Sequence, residues 1–72
     1  MSTIEKNYTV EGLGGEEGES LVESALCTLG GVESVEADSM MDLVVVRYDP
    51  SRVSEKDMQE VMDELGFDML PR

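Results

Sequence analysis

The stretch GLGGEEGES, residues 12–20, sets three carboxylates, Glu16, Glu17 and Glu19, among four glycines. Carboxylate oxygens suit hard cations such as Ca²⁺ or Mg²⁺, although no EF-hand pattern accompanies them here. Glycine N–H groups at a helix start suit phosphate, but three glutamates without a neighbouring base oppose it. The spacing also misses G-x-G-x-x-G, because Glu17 falls on the last glycine position. Soft-metal chemistry would need sulfur or imidazole. Cys27 is the sole cysteine and histidine is absent, so an intrachain disulfide, a multi-cysteine metal cage and histidine-dependent nucleophilic catalysis are all excluded. Met40 and Met41 sit in a turn, and Met58 and Met62 fall on a helical stripe. Thioethers in such places are packing more often than ligands.

Charge narrows the partners. Seventeen Asp and Glu against five Lys and Arg give −12. That excludes electrostatic capture of nucleic acid or an anionic membrane surface, and it favours a basic protein surface. The scarcity of lysine, Lys6 and Lys56 alone, points to a halophilic host, where salt screens self-repulsion. The N-terminus lacks a basic run followed by an apolar one, and the apolar run Leu43–Val46 is too short to span a bilayer. The expected setting is the cytoplasm.

The elements that must position these residues follow from apolar periodicity. Ile4–Val10 reads as a strand with Ile4, Tyr8 and Val10 in phase. The glycine loop comes next, then a helix over Glu17–Leu29 with Val22, Ala25, Leu26 and Leu29 on one face, stopped by Gly30 and Gly31. Gly18 predicts a frayed first turn, since glycine costs about 1 kcal/mol against alanine inside a helix. Val32–Asp38 and Leu43–Tyr48 read as strands around a turn at Ser39–Met41. Ser54 caps a second helix, with Asp57 completing a short capping box, and Gly66 ends it. Phe67–Leu70 reads as a last strand. One domain over residues 1–72, with a core over about 4–70, is expected. Its fold class is α+β: a ferredoxin-like βαββαβ unit, a four-stranded antiparallel sheet with two helices on one face.

From Tyr8 to about Met69 the chain resembles the heavy-metal-associated (HMA) domain family of copper chaperones and heavy-metal ATPase N-terminal domains. The resemblance rests on Y8-T-V10-E-G12-L13, V22-E-S-A25-L26, L29-G-G31-V32-E-S-V35-E-A-D38, V44-V-V46-R-Y48-D49-P50, V53-S54 and L65-G66-F67. It implies a non-enzymatic module that meets other proteins through its first loop and helix. In the family the first strand runs into V-x-G-M-x-C-x-x-C, whose cysteines hold the metal. Here Leu13 stands at the methionine position and Gly15 and Gly18 at the two cysteine positions, so the resemblance carries no thiolate site onto this chain. Cysteines restored at 15 and 18 are expected to regain one.

The favoured function is therefore protein docking without Cu(I) or Zn(II) transfer and without a cofactor. The interaction surface is expected at Leu13, Gly14, Glu16 and Glu17, and at Leu43 and Val45 on the helix-free face. The partner is another protein, with a basic surface or belonging to a metal transporter; the chain itself is a monomer or weak homodimer. The alternative is metal-ion binding through Glu16, Glu17 and Glu19, or through Cys27 shared between molecules. Cys27 lies nine residues beyond Gly18, about 14 Å along the helix at the usual rise. It is too far to complete a site at the loop.

Overall fold

The computed structural model describes residues 3–72. The elements run β1 (Ile4–Thr9), α1 (Glu16–Cys27), β2 (Val32–Asp38), β3 (Leu43–Tyr48), α2 (Glu55–Leu65) and β4 (Leu70–Pro71). The strands form one sheet in the order β2-β3-β1-β4, and every neighbouring pair is antiparallel. This is the ferredoxin-like arrangement expected.

Strand alternation decides what is buried. On β3, Val44, Val46 and Tyr48 turn toward the helices and lose nearly all exposure, and Tyr8 and Val10 join them from the neighbouring chain segment. Val22 and Leu26 of α1 and Met58 and Met62 of α2 close over them. Met58 and Met62 are core, as their spacing suggested. Register on β1 and β3 sets Thr9 opposite Leu43 and Asn7 opposite Val45. Those four therefore share the helix-free face.

Helix α2 begins where its cap residues dictate. The Asp57 N–H donates to Ser54 Oγ at 3.1 Å, and the Ser54 N–H donates to Asp57 Oδ2 at 3.0 Å. At its other end Gly66 adopts a left-handed conformation; its N–H donates to the Asp63 carbonyl, and the Phe67 N–H reaches the Met62 carbonyl at 2.9 Å. These two bonds form a Schellman cap. They also correct the expected strand over Phe67–Leu70. Phe67 is spent on the helix cap, so the strand forms two residues wide at Leu70–Pro71. Pro71 sits opposite Tyr8 on the edge strand, where its missing N–H costs nothing.

The start of α2 is also pinned to β1. Tyr8 Oη donates to Glu55 Oε2 at 2.9 Å and Lys6 Nζ to Glu55 Oε1 at 3.3 Å. Burial, and then hydrogen bonds with Tyr48 and Glu55, push the Tyr8 phenol pKa well above its usual value. Helix α1 ends two residues earlier than its apolar stripe. The Thr28 and Leu29 N–H groups tighten onto the Ala25 and Leu26 carbonyls, and Thr28 Oγ1 donates to the Ala25 carbonyl at 2.6 Å, so the last turn narrows.

Candidate functional site

The β1–α1 loop, the β2–β3 turn and the α2–β4 connection all lie at one end of the sheet. The Val10 N–H donates to the Asp42 carbonyl at 2.8 Å, which ties the start of the loop to the turn. Gly12, Gly14 and Gly15 then all take positive φ, at 82°, 73° and 101°. Between the first two, the Leu13 side chain folds inward and keeps only 4% of its exposure. Leu13 is thus part of the core and not the surface contact that the sequence suggested. An apolar side chain flanked by two permissive residues is free to turn toward the core.

Gly15 is the N-cap of α1 at φ 101°, ψ −154°, a backbone region essentially restricted to glycine. No side chain caps this helix; instead its first turn carries Glu16, Glu17 and Glu19, whose charges suit the positive end of the helix dipole. The turn is not frayed: the Glu19 N–H donates to the Gly15 carbonyl at 3.1 Å, and Gly18 is buried. The reason is a close backbone approach. A Cβ at residue 18 would collide with the Leu13 carbonyl oxygen, 2.5 Å from its carbon and 2.9 Å from Leu13 Cα. Position 18 is therefore filled by the loop's own backbone. A cysteine there does not drop into vacant space, contrary to the expectation of an intact, merely emptied scaffold.

The three glutamates do not converge. Glu16 and Glu17 are exposed, whereas Glu19 Oε2 turns away and accepts from the Ser39 N–H at 2.7 Å. Among the described residues, no group of three or more His, Cys, Asp or Glu side chains comes together as a metal site. Cys27 is exposed in the last turn of α1, at the opposite end of the helix from the loop. Sequence reasoning placed Glu16, Glu17 and Gly14 on the surface, and they are there. Glu16 and Glu17 line a shallow depression along α1 with Ser20, Leu21 and Ser24. Leu43 and Val45 are half-buried on the opposite, helix-free face, so the structure does not join the two halves of the expected surface.

Several features of this end were not anticipated. Leu21 is 47% exposed beside the glutamates. Met40 and Met41 occupy the β2–β3 turn as expected, but at 94% and 58% exposure they are not packed, and Asp38 Oδ1 accepts from both of their N–H groups. Arg72 fastens this turn from outside: Nη2 donates to the Met41 carbonyl at 2.9 Å and Nε to Thr9 Oγ1 at 3.0 Å. None of these contacts has a local sequence signal, except the Asp38 side chain two residues before Met40, a common turn device.

With that geometry in view, the likeness to known proteins is specific. The profile described as heavy-metal-associated domain matches residues 7–68. Copper chaperone CopZ of Staphylococcus haemolyticus (strain JCSC1435) is 41% identical over 66 residues, covering 92% of this chain and 97% of the relative. CopZ of Staphylococcus epidermidis (strain ATCC 12228 / FDA PCI 1200) is 38% identical over 65 residues, covering 90% and 96%. The solved structure of a CopZ metallochaperone superposes with a TM-score of 0.88 at 31% identity, covering 93% of this chain and 100% of that one. A further likeness speaks to the fold alone: the N-terminal domain of a potential copper-translocating P-type ATPase from Bacillus subtilis, in its Cu(I)-loaded state, gives a TM-score of 0.91 at 24% identity, covering 97% and 88%. The chain belongs to the heavy-metal-associated domain family.

Proposed function

We propose that this HMA domain is a non-enzymatic docking module that does not carry soft metal ions through its β1–α1 loop. The observation that carries this reading is the Leu13 carbonyl packed on Gly18. The family pattern asks for two thiolates at positions 15 and 18. This chain offers backbone carbonyls there, hard and neutral donors that do not select Cu(I). One of the two positions has no room for a side chain, and the other has a glycine-only conformation. Cargo of the copper chaperone kind therefore finds no ligand pair.

What is left at that end is a contact surface. Exposed Glu16 and Glu17 flank Leu21, a small apolar patch rimmed by negative charge that suits a basic partner. The relatives are copper chaperones, and this chain is also similar to a copper binding domain of a P-type ATPase and to the N-terminal domain of a zinc(II) ATPase. Both favour a partner in the cytoplasmic metal-handling machinery over an unrelated one. Docking of this kind needs no cofactor.

A chelator-competition titration with Cu(I), followed residue by residue by NMR, tests the reading. The expected result is no one-to-one complex and no localised shift at residues 12–20. A tight single equivalent held at the loop by the monomer overturns it.

A further inference from the structure

We propose that the helix-free face of the sheet is a weak dimer interface, and that its occupant is the same face of a second copy of this chain. The edges of the sheet offer a partner little. The β4 edge is two residues long and contains Pro71, which blunts it. On the β2 edge Glu23 Oε2 accepts from the Ala37 N–H at 3.0 Å, and just beyond it the Ser39 N–H is held by Glu19. The open face is set by register. Arg47 lies beside Glu5, and Val45 lies between Glu36 and Asn7. Leu43 lies between Asp38 and Thr9, with Leu70 beyond Thr9. The Arg72 N–H donates to the Asn7 carbonyl at 3.1 Å, which adds Arg72 to the row of Glu36, Val45 and Asn7.

Charge identifies the occupant. The whole chain carries −12, yet on the regularly paired residues of this face Glu5, Glu36 and Asp38 stand against Arg47 and Arg72, three against two. Glu33 falls in the irregular step before Ser34, outside these rows, and accepts from Thr3 Oγ1. A basic partner would meet both arginines, whereas an identical face meets a nearly balanced one. Among the described residues the one ion pair joins Lys6 to Glu55. Arg47 therefore has no carboxylate of its own chain, and Arg72 binds only the neutral oxygens of Thr9 and Met41.

Two such faces can stack about a two-fold axis that runs across the strands or along them. Across the strands, with the rows superposed, Glu36 meets Glu36 and Arg72 meets Arg72, and like charges so placed repel. Along the strands, β2 lies over β4 of the second copy and β3 over its β1. Glu36 then faces Arg72 of the second copy and Arg47 faces its Glu5, each twice by symmetry. Leu43 and Val45 cover Thr9 and Asn7. Asp38 faces Leu70, its Oδ1 already engaged by the Met40 and Met41 N–H groups. No like charges meet. Four strands about 4.8 Å apart, with five residues rising about 3.3 Å each, give a flat footprint of roughly 300 Å². That is small beside the ~800 Å² per partner of a standard interface, so the dimer is weak. Both α1 helices stay on its outside, open to a different protein.

Charge exchange tests the geometry. Glu5→Arg alone sets two arginines face to face, and Arg47→Glu alone sets two glutamates face to face. Mixed, the two variants form a heterodimer in which each of these contacts is an ion pair. Sedimentation at about 0.15 M NaCl, which screens charges beyond about 8 Å, should show wild type associating as protein approaches about 1 mM. Each variant alone should associate at least about tenfold more weakly. Labelled Arg47→Glu should pair with Glu5→Arg at least as tightly as wild type pairs with itself. It should pair more weakly with Glu16→Arg, which has the same net charge but an unaltered face. Equal pairing with both, or no association of wild type in that range, overturns the proposal. Dilution of wild type followed by NMR decides the matter without any variant. The Leu43, Val45 and Arg47 amides should shift, and shifts confined to α1 or α2 would put the contact on the wrong face.

Discussion

Gly18→Ala is the sharpest probe of the loop, because two effects of opposite sign meet there. In an exposed helix the change would stabilise by about 1 kcal/mol through propensity alone. Here the new Cβ would lie 2.5 Å from the Leu13 carbonyl carbon, a full ångström or so inside ordinary contact. The obstruction is backbone, so the loop must move and not merely a rotamer. Leu13 is almost wholly buried, and moving its backbone draws its side chain out of the core. Losing a buried leucine side chain costs about 1.5–3 kcal/mol, which outweighs the propensity gain. The expected net loss is about 0.5–2 kcal/mol, or roughly 2–16 °C in Tm for a domain this size. Thermal and urea unfolding followed by circular dichroism measure it, with Leu13→Ala alongside as the variant that empties the same volume. A Gly18→Ala protein as stable as wild type, or more so, would refute the collision and with it the filled loop.

Two other outcomes follow from the same structure. Tyr8→Phe removes the phenol that donates to Glu55, at a cost of about 1 kcal/mol near neutrality. Because burial raises the phenol pKa, its stabilisation is whole below the ordinary tyrosine value of about 10 and is lost as pH climbs from there toward the folded-state value. Urea midpoints between pH 9 and 11 should therefore fall more steeply for wild type than for Tyr8→Phe, and parallel falls would contradict this. Salt supplies the second. With a net charge of −12, Tm should rise by several degrees from low to molar NaCl as self-repulsion is screened, and a flat response measured by calorimetry would remove the case for a saline host.

Much of the scaffold was legible because its signals are local. Ser54, Asp57 and Gly66 marked both ends of α2, and the alternation on Leu43–Tyr48 marked β3 and its buried face. Where the reading failed, the cause was contact between segments distant in sequence. The Schellman bonds took Phe67 out of β4 because the helix cap competed for its N–H. Gly18 read as a weak point in a helix, yet its lack of a side chain is what lets the Leu13 carbonyl pack against it. No spacing rule exposes that approach, because it depends on how the loop folds back. Glu19 read as a candidate cation ligand beside Glu16 and Glu17, and Glu23 carried no signal of its own. Their roles arise only when β2 passes alongside, 20 and 14 residues later in the chain. Within the candidate loop and first helix, the reading was wrong about the environments of Leu13, Gly18 and Glu19.

The methionines divide sharply by depth. Met40 stands 94% exposed at the tip of its turn, while Met58, Met62 and Met69 keep 4% or less. Peroxide reacts first with thioethers that water can reach. Under mild oxidant, Met40 becomes a sulfoxide while the interior sulfurs stay reduced for as long as the fold holds. The order in which oxygen adds along the chain is then a built-in clock of opening, readable by peptide mass without any label.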